Sequence, residues 1–172
     1  MMWPFFPKRK SSELHGRTMQ EQFEYDINEI LLLANAAWPN RNITRESIAY
    51  YVKNDGMIQV SKHTDHVGGY MFSKRIRRKR IITDIVVPEQ WRRMGHGTDL
   101  VHTLQYNTLP GHRITVTVSE YNTTAHLFWK AMGFRAKILH NYYNDGTDAY
   151  RFVWRKNRKP PSANRSIYVP GA

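Results

Sequence analysis

"IITDIVVPEQWRRMGHGTDLVHTLQ", residues 81–105, decides how the rest of the chain is read. The apolar run from Ile81 to Val87 has the density of a buried strand, and Pro88, which cannot donate to a ladder, marks where that strand ends or splays. Leu100, Val101 and Leu104 then fall on one side of a helix. Between strand and helix stand Arg92, Arg93, Gly95 and Gly97. The first amides of a helix lack internal partners and its N-terminus is partly positive, so a glycine-punctuated loop opening a helix makes an anion site. Gly95 and Gly97 permit positive φ and close backbone approach, while the arginines add charge-assisted donors. Phosphate is the guest such a loop suits. The spacing Arg-x-x-Gly-x-Gly is neither the dinucleotide fingerprint nor a P-loop.

Upstream, "VGGYMFSK" (67–74) and "GMIQVSK" (56–62) read as strands. Before them, Ile27, Ile30, Leu31 and Ala34 sit at i, i+3, i+4 and i+7 of an amphipathic helix, and "TRESIAYYV" (44–52) is a shorter helix capped at Thr44. Downstream, "RITVTV" (113–118) alternates, with Ile114, Val116 and Val118 on one face and Thr115 and Thr117 on the other. "NTTAHLFWKAMGF" (122–134) is a helix with Asn122 as N-cap, Ala125, Phe128, Trp129 and Met132 on its apolar stripe, and Gly133 as its stop. "AKILHNYY" (136–143) and "DAYRFVW" (148–154) flank "NDG", a hairpin signal. The order is helix, helix, three strands, helix, strand, helix, two strands, a mixed α/β domain without internal repeats.

The chain has 172 residues, 41% hydrophobic, with ten Tyr, seven Phe and five Trp, enough to build one core. Residues 1–18 are expected as a basic and aromatic arm, 19–156 as the domain, and 157–172 as a basic disordered tail. The absence of cysteine excludes disulfides, thiolate metal sites and a thiol nucleophile. No stretch has a secretory signal's order or the length to span a bilayer, so a cytoplasmic protein without membrane contact is expected. His63, Asp65 and His66 fall in a turn with no fourth ligand, and no metal is expected there. Lys plus Arg number 26 against 14 Asp plus Glu, a net charge of +12. "KRIRRKR" (74–80) holds six bases in seven residues, and the stretch from Arg155 holds five and no acid. Such patches attract an acidic protein or nucleic acid, or they are solvated hairpin tips and ends.

The block at 81–105, followed by "ITVTVSEYNTTAHLFWKAMGF" (114–134), resembles the two signature stretches of the GNAT superfamily of acetyl-coenzyme A dependent N-acetyltransferases. The ending "LHNYYNDGTDAYRFVW" (139–154) looks like the last hairpin of the ribosomal-protein alanine and other amino-terminal acetyltransferases. The resemblance covers roughly residues 20–155. It implies a single GNAT-like α/β domain, its mixed central sheet splayed between the fourth and fifth strands and flanked by about four helices. It implies acetyl-CoA as co-substrate, its pyrophosphate on Arg92, Arg93, Gly95, His96, Gly97 and Thr98. Its pantetheine arm would pair with the backbone of Ile85, Val86 and Val87 and with Asn122, with Phe128 and Trp129 near the thioester.

The same resemblance exposes departures. Where the superfamily commonly carries an acidic tyrosine, this chain has Trp129, and the usual base positions are Ile81 and Thr117. Positioning alone supplies ~7 kcal/mol of such a barrier, against ~10²- to 10⁴-fold from general acid or base help, so transfer survives the loss in principle. An acceptor with a pKa near ~7.8 is then favoured over lysine at ~10.4. Asp84, Glu120 and Tyr142 are the candidate proton handlers; strict alternation from Ile81 would turn Asp84 away from the cleft unless a bulge intervenes. Tyr142 and Tyr143, on the strand leading to the final hairpin, would shape the acceptor pocket. The turn Lys74–Arg80 would lie toward the acceptor, so that Lys74, Arg75, Arg77 and Arg78 guide an acidic or RNA-containing one.

These readings converge on transfer of acetyl from acetyl-CoA to an amine, with a protein N-terminal α-amine as the acceptor and a monomer or weak dimer as the working unit. A toxin-like transferase acting on aminoacyl-tRNA meets the same amine requirement. A non-catalytic coenzyme A- or RNA-binding module of the same fold is the rival that Ile81, Thr117 and Trp129 favour.

Overall fold

The computed structural model describes residues 19–157, with side chains from residue 23. The expected arm over 1–18 and the tail from 158 lie outside the described residues. Helix α1 (Met19–Ala37) buries Ile27, Ile30 and Ala34, the stripe its spacing sets up. Helix α2 (Arg45–Lys53) starts in a capping box: Ser47 N–H donates to Thr44 Oγ1 at 3.2 Å and Thr44 N–H to Ser47 Oγ at 3.0 Å. Asn35 ties the connection between them to α1, donating to the Ile43 carbonyl at 2.8 Å and accepting from Ile43 N–H at 2.9 Å.

Strands β1 (Gly56–His63), β2 (His66–Ile76) and β3 (Lys79–Val86) form an antiparallel meander; α3 (His96–Asn107) then crosses over to β4 (Arg113–Ser119), the parallel partner of β3. Helix α4 (Thr123–Ala131) leads to β5 (Arg135–Leu139) and β6 (Ala149–Arg155), which closes against β4 and gives the order β1-β2-β3-β4-β6-β5. Both faces are covered. Ile27, Ile30, Ile48, Tyr70 and Phe72 form one cluster under α1 and α2; Met71, Ile82, Leu100, Leu104, Val116, Trp129 and Phe152 form another with α3 and α4. Central β4 is therefore buried on both sides, Thr115 included, rather than on its valine face alone.

Two irregularities set up the site. The β3–β4 ladder runs only from Lys79↔Arg113 to Ile82↔Val116, after which the strands part. The expected splay therefore opens between the third and fourth of the described strands, those that lead to Val87 and contain Val118. Second, the β2–β3 register jumps from Phe72↔Asp84 to Ser73↔Ile82, which leaves Thr83 as an extra residue.

Candidate active site

The donor side is built by the loop that opens α3. Arg93 and Gly95 both have positive φ, 66° and 92°, so successive amides of residues 92–96 turn in alternating senses, the geometry of an anion nest. Nothing lies within 4 Å of a Cβ built on Gly95, so glycine is needed there for conformation and not for room. Gly97 supplies closeness instead: a Cβ on it would lie 3.4 Å from Phe128 and 3.8 Å from Val87. The loop, the end of β3 and α4 thus meet at one place. Arg92 Nε donates to the Val87 carbonyl at 3.3 Å, while Arg92 and Arg93 stay exposed. Beyond Ile82 the edge of β3 facing β4 has no ladder partner, and the backbone of Ile85, Val86 and Val87 borders the gap. Across it Asn122 caps α4, its Oδ1 accepting from Ala125 N–H at 3.0 Å. Thr98 is half-buried in the first turn of α3. These residues fit a diphosphate and an extended amide-bearing arm: outward amides, exposed guanidinium groups and a bare strand edge.

Two expected cofactor contacts do not belong to this surface through their side chains. His96 is 6% exposed; its Nδ1 lies 2.9 Å from Ser61 Oγ, and its ring fills the hollow that Gly68 leaves, where a Cβ would come within 2.5 Å. Its imidazole pins α3 to the β1–β2 ladder, and only its backbone faces the loop. Trp129 is 1% exposed and stacks edge-on with Phe128 and Phe134, each ring centroid 5.0 Å away. The stripe that makes α4 amphipathic turns it into the core, so half-buried Phe128, next to Gly97, is the aromatic at the gap.

On the opposite face of the sheet the extra residue at Thr83 reverses the alternation. Ile82 and Ile85 join the α3–α4 core, while Thr83, Asp84 and Val86 face α1 and α2 with Ile81. Asp84 is 8% exposed and pairs at 2.5 Å with Arg41, which is 51% exposed and comes from the short turn Pro39–Arg41. The Arg41 guanidinium also stacks over Trp38, 4.6 Å from its ring centroid. Burial pushes the Tyr51 and Tyr70 phenols up, with the charge of Asp84 adding to it, so both are neutral donors. Tyr51 uses its hydroxyl on Thr83 Oγ1 at 3.1 Å. The Tyr70 hydroxyl is buried and makes no hydrogen bond of normal geometry, although the Trp38 indole approaches it.

The other expected residues separate. Glu120 accepts from Asp148 N–H at 2.9 Å and anchors the β5–β6 connection, a structural use of its carboxylate. Tyr142 and Tyr143 are not on a strand: β5 ends at Leu139, and both lie in the nine-residue connection 140–148. Asp148 shapes that loop by accepting from Asn141 N–H and His140 Nδ1, each at 2.8 Å, contacts that hold its carboxyl below the usual range. The two tyrosines pack edge to face, 5.1 Å apart, at the splayed end of the sheet. Lys74, Arg75, Arg77 and Arg78 sit at the opposite end, since Lys74 pairs with Ile81 and Ile76 with Lys79. At about 3.3 Å per residue, the hairpin turn at Arg77 and Arg78 stands roughly 20 Å along β3 from Ile85, while Lys74, opposite Ile81, stands nearer the parting of the strands. The placement near the acceptor is corrected accordingly.

Sequence reading passed over three groups. Arg41 and the Tyr70 hydroxyl carry no spacing signal, because long-range packing alone brings them to Asp84. His126 was legible, one turn after the Asn122 cap; its Nε2 lies 2.9 Å from the Ser119 carbonyl and its ring packs on Tyr150 at 4.7 Å, at the mouth of the gap. His66 is engaged by Glu29 at 2.7 Å and His63 packs at a tilt against Trp91, and among the described residues no group of three ligating side chains is placed to hold a metal. Nor is any described helix long and apolar enough to cross a membrane.

Residues 19–156 match the family described as the acetyltransferase (GNAT) domain. An N-alpha-acetyltransferase of Sulfurisphaera tokodaii is 35% identical over 144 residues, covering 73% of this chain and 84% of that protein. An uncharacterized N-acetyltransferase of Methanocaldococcus jannaschii is 32% identical over 141 residues, covering 79% of this chain and 90% of the other. The fold is shared with the ribosomal-protein-S18-alanine N-acetyltransferase of Escherichia coli, at 14% identity, a TM-score of 0.63, and 85% and 94% of the two chains. Arabidopsis thaliana NAA60, solved in complex with acetyl-CoA, superposes with a TM-score of 0.61 at 18% identity over 76% of this chain and 94% of its own.

Proposed function

The chain belongs to the GNAT acetyltransferase family and is an acetyl-CoA-dependent acyltransferase, and from that premise we propose that its acceptor is the α-amine of a protein N-terminus. One observation carries the acceptor reading: the bulge at Thr83 that turns Asp84 onto the α1–α2 face beside Arg41. A buried carboxylate whose cationic partner is half in solvent is a place where an ammonium can replace a guanidinium. Asp84 would hold the incoming amine there and take the proton that it must lose before it can attack. The amine then adds to the thioester carbonyl as its C–N bond forms, and the C–S bond breaks to release coenzyme A as a thiolate, which takes up the second proton that the nitrogen sheds. A strand amide near Val86 or Val87 would donate to the carbonyl oxygen as charge builds on it.

The donor would lie along the bare edge of β3, its diphosphate on the loop 92–97 and the first turn of α3. An α-amine suits this site because at ~7.8 its pKa leaves a sizeable neutral fraction without a strong base, whereas lysine at ~10.4 is almost wholly protonated. Tyr142 and Tyr143 would line the path of the residues that come after the terminus. The 35% identical N-alpha-acetyltransferase of Sulfurisphaera tokodaii supports the same acceptor class.

The test is coenzyme A release by the full chain with acetyl-CoA, offered peptides with free N-termini beside blocked peptides that present only lysine. Turnover on free termini, reduced by Asp84→Asn and partly kept by Asp84→Glu, is expected. Turnover confined to lysine, or to aminoacyl-tRNA, would overturn the acceptor.

A further inference from the structure

At the closed end of the β3–β4 ladder Arg75, Lys79, Arg80, His112 and Arg113 line a cavity of about 160 Å³ that also takes in Asn107, Thr108 and Leu109. It is not the transfer cleft, which opens past Ile82 at the other end of the same strands. The ladders force these bases together: Arg75 faces Arg80 across β2 and β3, and Lys79 faces Arg113 across β3 and β4. Like charges directly opposite one another destabilise a sheet, so folding alone gives no reason to gather them. Among the described residues no carboxylate lines the cavity; Asp55, itself exposed, lies 3.9 Å from Arg75 and offsets only part of the burial and repulsion felt by Arg80. Arg80 hydrogen-bonds only weakly to a neutral group, Ser73 Oγ at 3.3 Å, and burial together with the charge of Arg75 depresses its guanidinium below the usual value. An anion in the cavity relieves this repulsion.

A second observation says what kind of anion. Beside the cavity α3 presents Tyr106 with 83% of its surface exposed, and Leu109 is also outward. The Lys156 ammonium lies 5.8 Å from the Tyr106 ring centroid and donates to the carbonyls of Gln105 and Tyr106 at 3.2 and 3.0 Å. An acidic peptide would use the bases and have no need of a flat exposed ring. Single-stranded nucleic acid uses both, its phosphates following the charge and its bases stacking on the aromatic.

We propose that this basic cavity binds single-stranded nucleic acid, seating a backbone phosphate among Arg75, Lys79, Arg80 and Arg113 and stacking a base on Tyr106. The site holds the enzyme to an RNA-bearing partner while the transfer cleft, whose bare edge at Ile85 stands roughly 20 Å from Lys79 along β3, stays free.

Fluorescence anisotropy of a labelled oligouridylate with the full chain, across roughly 50 to 300 mM salt, tests this. Binding is expected to weaken with salt, with a log–log slope of about −0.7 for each phosphate contacted. The double variant Lys79→Gln and Arg113→Gln should bind about tenfold more weakly and flatten the slope by about 1.4. Tyr106→Ala should weaken binding about fivefold or more and leave the slope unchanged. Both should acetylate an uncharged peptide like the parent. Should the double variant melt early, Tyr106→Ala decides alone, because that exposed ring carries no core packing. Failure of the oligouridylate to bind, or binding untouched by these variants, overturns the proposal. Equal competition by polyglutamate with no effect of Tyr106→Ala also overturns it, in favour of an acidic protein partner.

Discussion

Strands β3 and β4 run side by side for four residue pairs and then part, and their two ends have opposite characters. At the closed end the ladder is complete, the side chains are basic, and they repel one another around a cavity. At the parted end the ladder is missing, the unpaired groups are backbone amides and carbonyls, and the buried carboxylate of Asp84 is matched by Arg41. One pair of strands can serve both because a paired ladder presents side chains alone, while a splayed one presents its backbone to a ligand as well. The proposed function accordingly puts reactivity at the parted end, and the proposed nucleic-acid site puts recognition of charge at the closed one.

The sharpest way to break this contrast is Asp84→Asn. It is expected to lower kcat by about 10³-fold, within the ~10²- to 10⁴-fold range of general acid–base help, while Lys79→Gln with Arg113→Gln leaves kcat/KM unchanged. Steady-state rates with an uncharged peptide would show it, and wild-type turnover by Asp84→Asn would reduce the carboxylate to a partner for Arg41. Trp129→Ala comes next, expected to destabilise the fold by about 3–5 kcal/mol in thermal melts. Calorimetry on the protein that remains folded should find coenzyme A affinity unchanged, because the ring lies in the core and not in the gap. Gly95→Asp places a carboxylate at a positive-φ position of the anion loop, and coenzyme A affinity should fall about 100-fold, roughly 2.7 kcal/mol, with a much smaller change in melting temperature.

The smallest expected effect lies away from both ends. Burial alone would raise the Glu29 carboxyl, but hydrogen bonds from His66, Val67 N–H and Tyr25 outweigh it and hold the carboxyl below its ordinary value of 4.5. A lowered folded-state value stabilises above the unfolded one and is lost as pH falls through the folded one. Glu29→Gln should therefore lower stability by under ~1 kcal/mol near pH 7, and the difference from the parent should shrink in melts as the pH falls below 4.5 and through the lowered folded-state value.

Much of this architecture was readable in the residues. Periodicity and punctuation place the six strands and four helices in order, because Thr44, Asn122 and Gly133 act through local hydrogen bonds and local φ. The anion loop was readable for the same reason: two arginines and two glycines between a strand and a helix mean the same thing wherever they fall. Trp129 was not settled, since the apolar stripe of α4 allowed it the core or the gap and only packing against Phe128 and Phe134 chose. His96 keeps its backbone at the loop while its side chain goes to the core, because a residue inside a phosphate loop need not point its side chain at the phosphate. The Tyr142–Tyr143 pair left its strand because β5 stops at Leu139 and Asp148 folds residues 140–148 into a loop.

By itself the sequence determined the order of elements, the caps, the phosphate-shaped loop and the excess of positive charge, all consequences of interactions between near neighbours in the chain. Tertiary structure decided the rest. One extra residue at Thr83, visible only when β3 is laid against β2, turned Asp84 from the core side to the side of Arg41; the end of the ladder at Ile82 opened the gap; and pairing of β2, β3 and β4 drew five bases around one cavity. Each of these depends on the register between strands, which the pleat of two residues makes sensitive to a single insertion and which no residue specifies alone.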